Sequence, residues 1–141
     1  MKSEENRAEE IPPVFYERLR LRIMRKTMNK NAFDKGCWEW EGSKWGSVYG
    51  TCVLSLPKGD KMRVNAHRAA YIAFSNQFVL PFDISHCCHQ SRCVNPDHLS
   101  HEPNELNVER ERCRKAGACT GHCYDGASLQ ACIFADKVSF F

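Results

Sequence analysis

The sequence predicts an α+β fold with little regular secondary structure, in which a small antiparallel sheet is combined with helices. Three observations predict it. Apolar residues recur at helical spacing early in the chain, and period-two segments bounded by turn residues fill the middle. Cysteines and histidines then crowd into the last third, where cross-links can replace a large core.

The elements follow in order. Residues 1–13 are polar and charged, carry a net acidic stretch over 4–10, and end in Pro12-Pro13, which reads as a disordered tail. From Val14 to about Asn29 or Lys30 the spacing of Phe15, Leu19, Ile23 and Met24 predicts an amphipathic helix. Its other face is basic, with Arg18, Arg20, Arg22, Arg25, Lys26 and Lys30, and reads either as solvated or as phosphate-facing. Trp38 and Trp40 alternate with Glu39 and Glu41 as in a strand, and Gly42-Ser43 and Gly46 mark turns. Val48–Leu56 is a second strand, Pro57–Asp60 a hairpin loop and Met62–Ala66 a third strand. His67–Ser75 follows as a short helix with Ala70, Tyr71 and Phe74 inward. Lys44, Lys58, Lys61, Arg63 and Arg68 lie on this sheet, its turns or the start of the helix, and a twisted basic sheet can enter a DNA groove. Pro103 opens and Gly117 closes a later helix. Residues 124–141 are too apolar for a free tail, and are expected to pack on the body or on a second subunit.

The bulk numbers restrict function only loosely. A length of 141 residues suits one domain with a tail, and a net charge of +3 permits nucleic-acid binding without demanding it. No stretch approaches the ~20 apolar residues that span a bilayer. The first ten residues lack the apolar run of a signal peptide, which favours a reducing, intracellular setting, nucleus or cytoplasm. The nine cysteines are then free to bind metal. Six of them lie between Cys87 and Cys123, interleaved with histidines that a disulfide framework would not need.

Zinc is the metal these donors select. Cys88-x4-Cys93-x4-His98 places three ligands within eleven residues, and Cys37 is the candidate fourth, with Cys52 the alternative. Cys113, Cys119, His122 and Cys123 offer a second set. The adjacency of His122 and Cys123 is awkward, because neighbouring side chains rarely aim at one ion, and Cys132 could replace His122. Structural zinc can contribute roughly 10–16 kcal/mol of apparent binding energy in small domains, enough to offset a thin core.

Two further residues are not needed for zinc. His86 stands at a predicted strand end, and its imidazole could accept a proton from water if its other nitrogen were oriented. Asn107 lies one turn into the later helix, where its amide oxygen could hold Mg2+. Histidine, asparagine and Mg2+ together suffice for phosphodiester hydrolysis.

The run SHCCHQSRCVNPDHLS, residues 85–100, resembles the His-Cys box of homing endonucleases, within the His-Me finger (ββα-metal) nucleases that carry an HNH-like zinc loop. GCWEWEGSKWGSVYG at 36–50 and NAHRAAYIAF at 65–74 resemble the same group. The resemblance implies a ββα-metal core stapled by two structural zinc sites, within a nuclease domain over residues 14–123. It implies His86 as general base, Asn107 as Mg2+ ligand and Arg63 near the scissile phosphate. Cys37, Cys88, Cys93 and His98 match the first zinc site, and Cys113, Cys119, His122 and Cys123 the second, with a Cys119–Cys123 interval shorter than the family's. It also implies a homodimer on double-stranded DNA, with residues 124–141 as a possible dimer arm.

Three functions compete on these grounds: a Mg2+-dependent DNA endonuclease, a zinc-stabilised DNA-binding module without cleavage, and a disulfide-rich secreted protein. The presence of both His86 and Asn107 favours the enzyme over the module. The odd cysteine count and the histidine spacing speak against the third.

Overall fold

The computed structural model describes residues 11–28, 36–45 and 49–134, so most of the expected tail, the Gly46 turn and the apolar end beyond Phe134 lie outside the described residues. The fold is α+β. Helix α1 (Pro13–Arg25) and the two-residue strand β1 (Thr27–Met28) are followed by β2 (Glu39–Trp40), β3 (Lys44–Trp45), β4 (Tyr49–Ser55) and β5 (Lys61–Asn65). Helix α2 (Ala66–Ser75), β6 (Asp83–His86), a 3-10 turn (Pro96–His98), β7 (Leu99–Glu102) and helix α3 (Asn104–Ala116) come next. A final hairpin pairs β8 (His122–Tyr124) with β9 (Ala127–Leu129). All pairing among the described residues is antiparallel, in four small sheets: β1-β2, β3-β4-β5, β6-β7 and β8-β9.

Helix α1 starts at Pro13, whose missing N–H costs nothing in the first turn. Its inward stripe is Tyr16, Leu19 and Ile23, one residue out of phase with the expected start at Phe15, which packs edge-on to Tyr16 and Phe78 at the margin of the core. The helix also stops earlier than the periodicity suggests, because Thr27 leaves it to pair with Trp40. Ile11, assigned to the tail by composition, is 8% exposed and belongs to the core.

The basic face of α1 is partly structural. Arg20 Nη1 donates to the Ala73 carbonyl (2.6 Å) and to Asn76 Oδ1 (2.8 Å), so α1 is fastened to the left-handed C-cap of α2. Arg22 Nη2 donates to the Val53 carbonyl (2.7 Å) on β4. Helix α2 packs by its small side chains: Ala69, Ala70 and Ala73 are fully buried, which lets the helix approach α1 and β4 closely, while Tyr71 and Phe74 are only partly buried.

The β4–β5 hairpin turns through Pro57–Asp60 as expected, with Gly59 at φ +94°. Exposure alternates along β5, putting Lys61, Arg63 and Asn65 outward and Met62 and Val64 toward the core. Trp40 closes the other end of the sheet at 2% exposure, its indole N–H donating to the Ser43 carbonyl (2.9 Å).

Candidate metal centres and the adjoining imidazole

The ladder β6-β7 leads directly into α3, giving a ββα unit with a long loop between its strands. That loop is folded by its own backbone. Asn95 Oδ1 accepts from the Asp97 N–H (3.0 Å), opening the 3-10 turn that carries His98, and Cys87 N–H donates to the His98 carbonyl (2.7 Å). The segment before β2 runs alongside: Trp40 N–H bonds the Arg92 carbonyl, Val94 N–H bonds the Trp38 carbonyl, and Asn95 Nδ2 bonds the Gly36 carbonyl. These contacts deliver Cys37 to the loop.

Cys37, Cys88, Cys93 and His98 thus converge, with donor atoms all within 4.8 Å of one another. His98 Nδ1 lies 3.6 Å from Cys37 Sγ and 3.5 Å from Cys93 Sγ. Zinc bonds of about 2.3 Å to sulfur and 2.0–2.1 Å to nitrogen place S and N roughly 3.5 Å apart in a tetrahedron, so the set fits the ion. The site is closed to solvent, with Cys88, Cys93 and His98 at 4% exposure or less, as a structural rather than a catalytic zinc requires. Cys52 is elsewhere, buried on β4 beside Arg22.

The second cluster is Cys113, Cys119, His122 and Cys132, again with donor atoms within 4.8 Å. His122 Nε2 lies 3.6 Å from Cys113 Sγ and 3.4 Å from Cys132 Sγ. Cys123, expected here from its spacing, is exposed and outside the group. The reason is strand geometry: His122 and Cys123 are successive residues of β8, so their side chains project to opposite faces. His122 therefore keeps its place and Cys132 takes that of Cys123. The signal overlooked in the sequence is Asp125-Gly126, both at positive φ (52° and 81°), the dipeptide of a two-residue hairpin that turns the chain back and brings Cys132 home.

The surroundings of this cluster suit a metal. Glu109 Oε1 lies 3.0 Å from His122 Nδ1, the carboxylate–imidazole contact that leaves Nε2 for an ion. Burial pushes the Cys119 thiol up, but the N–H groups of Cys132 (3.4 Å) and Gly121 (3.3 Å) outweigh this and bring it down to about 7. The two Cys3His sets support two structural zinc sites. The end of the described chain closes over them, with Ile133 N–H on the Cys87 carbonyl (2.7 Å) and Phe134 stacked on His89.

His86 ends β6, opposite Leu99. Its Nε2 lies 3.0 Å from the Cys93 carbonyl oxygen. The ring is flanked by His67, with centroids 4.2 Å apart, and by Tyr49, 6.1 Å away and inclined by only 10°. Burial lowers the His86 imidazole to about 4 and that of His67 to about 3, so both are neutral near pH 7. His67 was expected only as the start of a helix; it is buried, with Nε2 3.1 Å from the Ile84 carbonyl. Asn107 is exposed on α3, next to the inward Leu106.

Among the basic residues, Lys44, Lys58, Lys61 and Arg63 are exposed. Arg68 is committed to the fold, its guanidinium donating to the Phe82 (3.0 Å) and Leu80 carbonyls. Arg63 Nη1 reaches Thr51 Oγ1 (3.4 Å) across the outer face of the sheet. Among the described residues, no helix is long and apolar enough to cross a membrane.

No curated protein and no solved structure matches the chain. The family model for the zinc-binding loop region of homing endonucleases does match, over residues 25–137, a span that holds both thiolate–imidazole clusters and His86, and the chain belongs to that family.

Proposed function

We propose that this chain is a Mg2+-dependent endonuclease that hydrolyses phosphodiester bonds of double-stranded DNA, with His86 as general base and Asn107 as the metal ligand. Its membership of a homing-endonuclease family makes nuclease the class of activity and DNA the partner. One observation carries the finer reading, the contact between His86 Nε2 and the Cys93 carbonyl oxygen at 3.0 Å. A carbonyl can only accept, so Nε2 bears the proton and Nδ1 is left with a lone pair. The carbonyl belongs to a residue of the first cluster, so the zinc loop fixes both the tautomer and the ring direction of the base.

In this reading His86 Nδ1 takes a proton from the water that attacks phosphorus, and the imidazolium formed is steadied by the Cys93 carbonyl through Nε2–H. The amide oxygen of Asn107 would hold Mg2+, which takes few protein groups when phosphate oxygens and water fill the rest. When bound there, the ion would supply charge stabilisation to the phosphate and the leaving oxygen. Arg63 and the lysines of the outer sheet contact DNA phosphates, and the active species is a homodimer.

The test is plasmid cleavage by the zinc-loaded chain, with Mg2+ and without added divalent ion. His86→Ala should lower cleavage by at least the ~10²–10⁴ that general bases contribute, while zinc content and DNA binding persist. Normal cutting by that variant removes His86 from the chemistry. A wild-type protein that binds DNA but never nicks it is a binding module instead.

A further inference from the structure

We infer that Arg22, Lys26 and Arg63 form a phosphate-binding recess beside the sheet, distinct from the His86 centre, which seats a DNA backbone phosphate flanking the one that is cut. This rests on the DNA reading above and adds to it a positioning contact.

The three cations line one recess of about 140 Å³ together with the hydroxyl-bearing Ser43 and Thr51, and among the described residues no acidic one lines it. At roughly 30 Å³ per water-sized group, that space has room for a tetrahedral oxyanion. Arg22 is held in place by its bond from Nη2 to the Val53 carbonyl (2.7 Å). Among the described residues its Nε and Nη1 have no protein partner. Arg63 leans over from β5 onto Thr51 Oγ1. The floor adds no negative charge, because burial raises the Cys52 thiol. Three positive charges with two hydroxyls, in a recess open along a sheet face, is the donor set that phosphate selects.

The position follows from the ladder. Tyr49, Thr51 and Val53 alternate onto one face of β4, and the ring of Tyr49 stacks on His86. Arg63 pairs with Val53, four residues along from Tyr49. At ~3.3 Å per residue the recess, lined by Thr51 to Val53, lies about 7–13 Å along the strand from Tyr49. At its Val53 end, where Arg22 and Lys26 stand, that separation suits a second phosphate of the same duplex.

The experiment uses the zinc-loaded full chain and a DNA duplex without added Mg2+, so that cleavage plays no part. The salt dependence of binding is compared for wild type, Lys26→Gln and Lys26→Arg. Lys26 is exposed, so its replacement should leave the fold intact, and a thermal melt verifies this. Loss of one phosphate contact should flatten the slope of log K against log salt by about 0.9, and Lys26→Arg should restore it. An unchanged slope in Lys26→Gln overturns the proposal. A second arm titrates inorganic phosphate and follows the amide resonances of Thr51 and Val53. If phosphate shifts them in wild type and not in Lys26→Gln while the DNA slope is unaltered, the recess takes free phosphate and the DNA assignment is wrong. A chain that fails to cut DNA yet shows the Lys26-dependent slope loses the nuclease reading and keeps this site. One that cuts with an unchanged slope does the reverse.

Discussion

Arg110 and Glu102 are joined by two hydrogen bonds, Nε to Oε2 at 2.5 Å and Nη2 to Oε1 at 2.8 Å, with the side chains 1% and 0% exposed. The same guanidinium donates to the Gln130 carbonyl (2.8 Å) and to Cys132 Sγ (3.5 Å). A buried ion pair thus ties the end of β7, the middle of α3 and the segment after β9 that supplies a ligand to the second cluster. Removing one partner strands the other charge in a dry site, which typically costs about 3–5 kcal/mol. Arg110→Met and Glu102→Gln should each lose stability on that scale in denaturant unfolding of the zinc-loaded protein, whereas Glu102→Leu with Arg110→Met should recover part of it. Burial works against the Glu102 carboxylate, but the hydrogen bonds and charge of Arg110 outweigh it and hold the pKa below the usual value. Its contribution is therefore present above the ordinary carboxylate range and lost as pH falls through the folded pKa. The stability gap between wild type and Glu102→Gln should narrow on acidification; a gap that widens would contradict this pairing.

The second cluster gives a sharper test, because two cysteines of one segment have opposite fates. Cys132→Ser removes a ligand and should reduce bound zinc from two ions per chain to one after gel filtration, measured by metal analysis. Cys123→Ser should retain both, since Cys123 faces away from the other donors. The opposite pattern would restore the set read from spacing. Glu109→Gln should weaken retention at the same site by about 10–100-fold, the usual effect of losing the partner that orients a ligating histidine.

That substitution of Cys132 for Cys123 illustrates what a sequence discloses here. Spacing singles out Cys88, Cys93 and His98, whereas Cys37 is a candidate beside Cys52, preferred because it opens the sheet region, and it is Cys37 that joins the cluster. Spacing failed at Cys123 because it ignores which way a strand side chain points, whereas the period of two decides it. The helix α1 was legible in existence but not in phase, since Phe15 and Tyr16 are both apolar enough to lead the buried stripe. The Glu102–Arg110 pair was not legible at all. Helix α3 reads as polar on every side, and its one β-branched residue, Val108, is 46% exposed while Arg110 is buried. Only the arrival of a carboxylate from β7 makes that inversion stable, and no local pattern announces it.

The sheet end near Trp40 predicts a steric limit. A Cβ at Gly50 would stand 2.1 Å from Trp40 Cδ1 and 2.6 Å from its Nε1. The indole cannot swing aside cheaply, being buried and hydrogen-bonded to Ser43. Gly50→Ala should therefore destabilise by at least the 1–3 kcal/mol typical of overpacking, seen as a lower denaturant midpoint with the zinc content unchanged. A variant as stable as wild type would mean that the Trp40 ring does not lie across β4.

The last prediction concerns Tyr49, whose ring lies nearly parallel to His86 and which is 43% exposed. A residue so exposed contributes little to the core, so its place against the imidazole is the feature to test. The Cys93 carbonyl fixes the position of one nitrogen but leaves the ring free to tilt about that bond, and Tyr49 and His67, whose rings also touch each other at 5.5 Å, together oppose the tilt from one side. Misplacing a reacting group by about 1 Å costs roughly 10²-fold in rate. Under the nuclease reading, Tyr49→Ala should lower kcat by between about tenfold and a hundredfold with KM for DNA little changed, and Tyr49→Phe, which keeps the ring and loses the hydroxyl, should restore it. If Phe fails where Tyr succeeds, the hydroxyl rather than the ring is what matters, and the stacking account of His86 is wrong.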